Sequence, residues 1–478
     1  MDLAALRAAF AGRLFDDADA MAPFLTDWRR KWTGCAIAVA QPDTAEGVAA
    51  VLRWCRSQNV AVVPQGGNTG LSGGATPAAE GCSLVLSTAR LQRIRALDPV
   101  GQTVTAEAGV TLQQVQDAAR EAGRLFPLSL AAQGTCTIGG NLATNAGGVQ
   151  VLRYGNARDL CLGLEVATAD GELWNGLRPL RKDNTGYALR DLYIGSEGTL
   201  GVITAAVLKL FPLPAAQVVA LVAVPSTAAA LALLSQAQQR LAADLTAFEL
   251  ISETCLLLVE RHVDAARRPL ADRSPWYVLL EVSSSRSEQA ATEAIEDLLQ
   301  AAIEADHASD AALSASVAQF RSLWALREDI SEAQGADGPT IKHDIALPIA
   351  CIPDFIERTD AAITRHFPGL RLVVFGHLGD GNLHYNLSPP AGGMPKADFV
   401  ALEAPINRLV HDAVHDAGGS ISAEHGLGVL RRDEAARYKP AVEQRLMRAI
   451  KQALDPLNLM NPGKLLGPLP NHNNAPET

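Results

Sequence analysis

The sequence predicts an α+β fold of more than one domain. Three observations carry this. Short β-rich runs recur between Gly-rich connections over the first 210 residues. Strands and amphipathic helices then alternate beyond Pro214. The chain has 478 residues, enough for two or three cores at about 100–200 residues per domain. Hydrophobic residues make up 48% and charged residues 19%, which excludes a disordered or fibrous chain. The 39 glycines and 26 prolines follow no fixed period, so collagen is excluded. The net charge of −11 argues against a nucleic-acid partner. It also means that any acidic substrate must be drawn in by local positive charge.

The elements follow in order. The first 45 residues read as helical, with Leu3, Leu6, Phe10 and Leu14 as one apolar face. A helix is expected over 47–58 and a strand over 60–64, running into Gln65-Gly66-Gly67-Asn68-Thr69-Gly70. Further strands are expected at 83–87, 103–107, 165–169 and 201–210, with a helix at 111–123 among them. Phe211-Pro212-Leu213-Pro214 marks a boundary. The next region reads as strand 218–224, helix 227–242, strands 246–251 and 276–283, helix 287–304 and helix 316–334, ended by Gly335. A strand at 340–347 and a hairpin at 372–387 come next, then Gly-rich motifs and a helix over 441–454. The expected domains are 1–214, 215–417 and a C-terminal segment 418–466, with a disordered tail over 467–478.

Seven scattered cysteines without a CxxC argue against a disulfide framework or zinc ribbon and for buried free thiols in a reducing compartment. The N-terminus carries Asp2, Asp16, Asp17 and Asp19 and no basic segment leading an apolar one, so it does not read as a secretory signal. A cytoplasmic location is the expectation. Residues 215–234 carry no charge and are long enough to span a bilayer. Pro225-Ser226-Thr227 divides them, and a strand followed by a Ser-capped helix explains them better. No transmembrane segment is expected.

Neither GxGxxG nor GxxxxGK[ST] occurs, which argues against a standard dinucleotide site of the Rossmann kind and against a P-loop. Three other Gly clusters stand at 66–74, 134–148 and 195–201. Glycine lets backbone approach a ligand closely, and successive N–H groups can cradle phosphate oxygens. Three such clusters with Asn and Thr interleaved favour an extended diphosphate ligand over simple connections.

Between apolar runs at 372–375 and 383–387 lies Asp380-Gly381, a strong hairpin signal. With those two as the turn, His377 stands directly opposite His384, and Asn386 shares a face with Phe375. Two facing imidazoles can share a metal ion, or simply be polar residues on a hairpin. Glu424 of the Ala423-Glu424-His425-Gly426 stretch shifts that balance, because two His and a carboxylate form a catalytic type of metal site with an open position. A rival pair, His411 and His415, lacks the Glu of HExxH and reads as a solvated helix face. Arg327 and Ser331 are four apart on a helix, and Lys342 and Asp344 share a strand face. Arg327 and Lys342 are either two solvated basic residues or a guanidinium and ammonium that bind a carboxylate.

The motifs PQGGNTGLSGG, IGGNLATNAGG, RKDNTGYALRDLYIGSEGTLG, GHLGDGNLH, SAEHGLG and NPGK, in this order, resemble the FAD-linked 2-hydroxyacid dehydrogenases. The resemblance runs from about Asp27 to Leu466 and is strongest to the D-2-hydroxyglutarate branch. It implies a vanillyl-alcohol-oxidase or PCMH-type fold, in which a two-part FAD domain brackets an inserted α+β substrate domain and the C-terminal segment returns to the flavin. Pro64, Gln65, Gly66, Gly67, Asn68, Thr69, Gly70, Leu71 and Gly73 would then wrap the FAD pyrophosphate. Gly134, Thr137, Gly139, Gly140, Ala143, Asn145, Gly147 and Gly148 would run along the flavin. Glu197, Gly198 and Ile203 would join them, and Asn461 and Lys464 would close over it. Asn68 and Thr69 stand where some relatives carry a flavin-tethering His, so the resemblance implies non-covalent FAD.

The same resemblance implies a divalent ion, zinc first among the alternatives, on His377, His384 and Glu424, with His425 as general base. Arg327, Ser331 (for a Thr in the branch) and Lys342 would grip a remote carboxylate, and Asn386 and His425 the C1 carboxylate. The implied activity is oxidation of D-2-hydroxyglutarate to 2-oxoglutarate, with electrons passing to an external acceptor such as an electron-transfer flavoprotein. Dehydrogenation of D-lactate or glycolate, and a non-redox role as a flavin-dependent transferase or flavin-binding subunit, are the alternatives. A homodimer remains open.

Overall fold

A computed structural model describes residues 2–467. The expected tail over 467–478 lies, apart from Gly467, outside the described residues. The chain divides into two compact units. Among the described residues, one comprises 2–146, 156–212 and 424–467, and the other 147–155 and 213–423. The sequence gives no sign of the short 147–155 excursion, which follows the Gly147-Gly148 pair.

The first unit is built on two larger sheets and a two-stranded one that pairs Arg124–Leu125 with Phe211–Pro212. In one, Ala36–Pro42, Ser83–Ser87 and Ala61–Gln65 are parallel, with Ser83–Ser87 in the middle. Helix Ala45–Gln58 makes the crossover. It is capped by the Thr44 hydroxyl, which accepts from Gly47 N at 3.0 Å, and ended by Asn59 in the left-handed region. A fourth strand, Gly12–Phe15, adds antiparallel at the edge. The expectation of helix throughout the first 45 residues is thus corrected: two short helices, Leu3–Ala9 and Ala18–Leu25, flank strand. Gly12 interrupts the helical pattern, and pairing of 12–15 with 39–42 satisfies the backbone that follows. The second sheet is antiparallel, in the order Ile94–Asp98, Thr103–Glu107, Gly201–Lys209, Cys161–Thr168, Leu173–Gly176. Leu52, Val48, Leu84, Leu86 and Val62 form a core with Ala167 and Val202 of the second sheet. Met460 completes it from the C-terminal segment.

The second unit is one seven-stranded antiparallel sheet with helices on it. Its order is Asp310–Leu313, Ala216–Val224, Trp276–Ser284, Leu245–Ser252, Arg371–His377, Asn382–Ser388, Asp344–Ala346. Val219, Leu221, Ile251, Tyr277 and Leu279 alternate onto one face and bury Leu256, Val259, Leu323, Trp324 and Ile330 of the covering helices. The uncharged 215–234 stretch is a strand followed by helix Thr227–Leu241, capped by the Ser226 hydroxyl on Ala229 N. No helix of the described residues is long and apolar enough to cross a membrane. The expected helix 316–334 is two helices, Val317–Glu328 and Ile330–Asp337. Asp329 is the joint: its amide closes the first turn onto Ala325 and its carbonyl opens the next toward Ala333.

All seven cysteines are free thiols. Cys55, Cys136, Cys161 and Cys255 are buried; Cys35 and Cys82 are exposed, against the expectation of burial, because they stand just before strands at the rim of the first sheet.

Candidate functional site

The first unit holds a cleft with about 950 Å³ of empty space, part of it open to solvent. Three segments form it. Strand Ala61–Gln65 runs into the loop 66–74, helix Ile138–Ala143 supplies a second wall, and 196–203 a third. Eight of the residues that line it are glycines. A Cβ on Gly66 would lie 2.5 Å from Thr137 Oγ1, and one on Gly67 2.1 Å from the Thr135 carbonyl oxygen. Neither position has room for a side chain. Among the described residues, the amides of Gly66, Gly67, Asn68, Thr69 and Gly70 donate to no protein acceptor. The buried Thr137 hydroxyl likewise has no partner. A run of amides and an unmatched hydroxyl on a Gly-lined wall is the donor set that an anionic diphosphate requires.

Of the expected cofactor residues, Pro64, Gln65, Gly66, Gly67, Asn68, Thr69, Gly70, Thr137, Gly139, Gly140, Ala143, Glu197, Gly198 and Ile203 line this cleft. Leu71, Gly73, Gly134, Asn145, Asn461 and Lys464 are not on its wall, and Gly147 and Gly148 belong to the second unit. Several of these act as fasteners instead. The Asn145 side chain accepts from Arg158 N at 3.0 Å. Asn461 donates to the carbonyls of Gly74 and Glu197 at 2.9 and 2.8 Å. Lys464 Nζ donates to those of Gly73 and Thr76 at 2.9 and 2.8 Å. Burial lowers the Lys464 ammonium to about 8.

Glu197 has a role that motif spacing did not indicate. Its buried carboxylate accepts Leu427 N at 2.8 Å and Gly428 N at 2.7 Å, clamping the Glu424–Gly428 turn. Burial raises the Glu197 carboxyl above its ordinary range, against the pull of those two amides and Lys464. Ser72 Oγ donates to the carbonyls of His425 and Gly426 from the other side. Only glycine fits at 428, where φ is +50° and a Cβ would meet the Ser72 carbonyl oxygen at 2.1 Å. So held, His425 lines the cleft.

The histidine hairpin lies in the second unit. Its register corrects the expected pairing: Phe375, not His377, stands opposite His384. The connection is the four-residue loop 378–381 rather than a two-residue turn. A type I′ turn needs positive φ at both central residues, and only Gly381 has it. Asp380 instead accepts Asn382 N at 3.1 Å, and the Gly381 carbonyl accepts Leu347 N. The shift is by two, so faces are preserved: His377 and His384 are diagonal neighbours with ring centroids 5.8 Å apart.

Behind them is a residue that the motifs did not single out. Glu249, on the fully buried strand Leu245–Ser252, accepts His377 Nδ1 at 2.7 Å and Arg327 Nε at 2.9 Å. The available signal was a single carboxylate in an apolar run. Burial pushes the Glu249 carboxyl up, but His377 and Arg327 together hold it below the usual carboxylate range. The Arg327 guanidinium lies 4.7 Å from the Phe375 ring centroid, and that ring is 4.8 Å from His384. Arg327, Phe375 and the two imidazoles thus form one cluster. A His whose Nδ1–H is held by a carboxylate is the arrangement that orients imidazole ligands toward a metal.

The other acid-binding candidates are placed less uniformly. Ser331 and Lys342 are exposed and Arg327 is buried. Ser331 does not continue the helix of Arg327, because the chain turns at Asp329. The expected strand 340–347 is reduced to Asp344–Ala346 and a single bridge at Ile341. Asn386 is buried, donating to Gln334 at 3.0 Å and accepting His343 N at 3.1 Å. His411 is also buried, against the expectation of a solvated face; its ring packs edge-on to His343 at 5.5 Å, while His415 is exposed. The helix turns its Ile406, Val410 and Val414 stripe inward and His411 goes with it.

A unit of two larger sheets with a Gly-lined cleft, joined in sequence to an antiparallel α+β unit, defines a flavin-dependent oxidoreductase of the PCMH type. The family profile "FAD binding domain" matches residues 36–176, and "FAD linked oxidases, C-terminal domain" matches 213–465. The chain is 43% identical to D-2-hydroxyglutarate dehydrogenase of Xanthomonas citri pv. viticola, over 92% of this chain and 91% of that protein. It is 39% identical to the mitochondrial D-2-hydroxyglutarate dehydrogenase of Bos taurus, over 97% and 83%. The solved structure of p-cresol methylhydroxylase with substrate bound shares the fold, with a TM-score of 0.74 at 16% identity over 97% and 96%. The chain belongs to the FAD-linked D-2-hydroxyacid dehydrogenases.

Proposed function

We propose that this enzyme oxidises D-2-hydroxyglutarate to 2-oxoglutarate and passes the electrons to an external acceptor such as an electron-transfer flavoprotein. The carrying observation is the buried Arg327 guanidinium in one cluster with His377 and His384. A guanidinium there suits the recognition of a second carboxylate, which supports a dicarboxylate substrate. The names of the relatives support the same substrate.

Bound FAD supplies a two-electron acceptor, and a divalent ion, zinc by preference, supplies a Lewis acid for the substrate oxygens. The Gly66–Gly70 amides and Thr137 would hold the FAD diphosphate without a covalent tether. His377, His384 and Glu424 would hold the metal, an N/O set that suits zinc, manganese, cobalt or ferrous iron. His425, steadied by Ser72 and the Glu197 clamp on the next two residues, takes the proton of the α-hydroxyl. Arg327 anchors the remote carboxylate, joined by Lys342 and Ser331; Asn386 and His425 orient the C1 carboxylate. A cytoplasmic location and a homodimer complete the reading.

A second reading, a D-lactate or glycolate dehydrogenase, draws on one observation. Ser331 and Lys342 are exposed, which weakens the case for a built dicarboxylate grip. Anaerobic bleaching of the flavin by a panel of D- and L-2-hydroxy acids decides. Faster bleaching by D-2-hydroxyglutarate than by D-lactate or glycolate supports the first reading, and the reverse order overturns it.

A further inference from the structure

We infer that Glu249 is a positioning residue that couples metal binding to recognition of the substrate's remote carboxylate. This rests on the proposed reading of His377 as a metal ligand and Arg327 as a carboxylate anchor. One carboxylate serves both: Oε1 takes the His377 Nδ1 hydrogen at 2.7 Å, and Oε2 takes the Arg327 Nε hydrogen at 2.9 Å. The first bond selects the tautomer in which Nδ1 carries the proton and Nε2 presents its lone pair. The second fixes the guanidinium by its Nε edge, which leaves the two Nη groups as the fork toward a carboxylate.

The fold makes this arrangement rigid. Glu249 sits on a strand with every residue buried, paired to Trp276–Ser284 on one side and Arg371–His377 on the other. Glu249 and His377 are direct cross-strand partners, so their side chains leave the sheet on the same face. That face carries Ala247 and Ile251 and is covered by helix Val317–Glu328, which delivers Arg327. Phe375, two residues before His377, packs against both Arg327 and His384. Movement of the anchor therefore shifts the imidazoles, and movement of the imidazoles shifts the anchor.

The test uses Glu249→Gln in the full-length, FAD-loaded chain. Gln offers one oxygen to two donors and turns its NH₂ against the other, so both partners cannot stay satisfied. Zn²⁺ affinity is measured by chelator competition on metal-stripped protein, with FAD content recorded alongside. Zn²⁺ binding about 10–100-fold weaker is expected at unchanged FAD content, the usual scale for an outer-shell partner of a metal-bound His. The ratio of kcat/KM for D-2-hydroxyglutarate to that for D-lactate should fall as well. If Glu249→Gln does not fold, Glu249→Leu combined with Arg327→Leu replaces the buried ion pair by apolar side chains and still strips His377 of its acceptor. Unchanged Zn²⁺ affinity in the variant that folds overturns the inference. Failure of the unaltered chain to bind Zn²⁺ is a separate result that removes the metal reading itself, and the inference with it.

Discussion

Lys464 donates a 2.9 Å hydrogen bond to the carbonyl of Gly73, from a position 391 residues further along the chain. The ammonium also holds Thr76, so the far end of the 66–74 loop is fixed by the C-terminal segment. Lys464→Met keeps the length and apolar stem but leaves two buried carbonyls unmatched. At about 1–3 kcal/mol for an unsatisfied buried group, a clear loss of stability is expected, together with easier loss of FAD. Flavin fluorescence released during a thermal ramp reads both.

Glu197→Gln tests the clamp on the Glu424–Gly428 turn. One amide oxygen must then serve two N–H donors, and the side-chain NH₂ faces the other. A destabilisation of about 1–3 kcal/mol in urea unfolding is expected, with lowered kcat because His425 follows the turn. Unchanged kcat would mean that the turn holds its shape without the clamp.

His425→Ala should lower kcat about 10²–10⁴-fold, the range for loss of an acid–base group. Flavin should stay bound, because the Gly66–Gly70 amides and the Thr137 hydroxyl do not depend on His425. Rates at wild-type level would remove His425 from the proton transfer.

Chelation should abolish turnover without releasing FAD, and zinc or manganese should restore it. The cleft residues and the imidazole cluster are separate sets, so each ligand can be removed alone. Full activity after verified metal removal would rule out the ion's role.

Asp360 sets a pH dependence of stability. Burial raises its carboxyl to about 6 from 3.8, only partly offset by the Tyr385 hydroxyl that donates to it at 2.7 Å. The folded value exceeds the unfolded one, so the unfolded chain ionises first. The stability attributable to this group therefore falls as pH climbs from about 4 to about 6, and is constant above. At 1.36 kcal/mol per unit, the total is on the order of 2–3 kcal/mol. Asp360→Asn should be stabilised relative to the unaltered chain more at pH 7 than at pH 4.5. Equal differences at both pH values would show that Asp360 does not titrate in this window.

Local signals carried much of the fold. The strands 83–87 and 103–107 and the cap at Ser226 follow from alternation, β-branching and capping chemistry, all short-range. The hairpin was legible and its register was not, because Asp380-Gly381 looks like a two-residue turn until its φ angles are known. The loop glycines of the cleft could be read because close backbone approach demands them. Glu249 could not be ranked from sequence: its partners stand 78 and 128 residues away, and a lone Glu in a buried strand has no motif. The break at Asp329 has no local signal, since no Gly or Pro marks it.

The order of synthesis adds a constraint. The loop 66–74 leaves the ribosome hundreds of residues before Ser72 can meet the His425 turn, and before Asn461 and Lys464 can reach Gly74 and Gly73. Strand Ala61–Gln65 also waits, since the Val62 carbonyl is matched by Asn461 N and the Val62 amide by Leu459 O. The cleft therefore stays unfinished until the segment from His425 to Lys464 has been made.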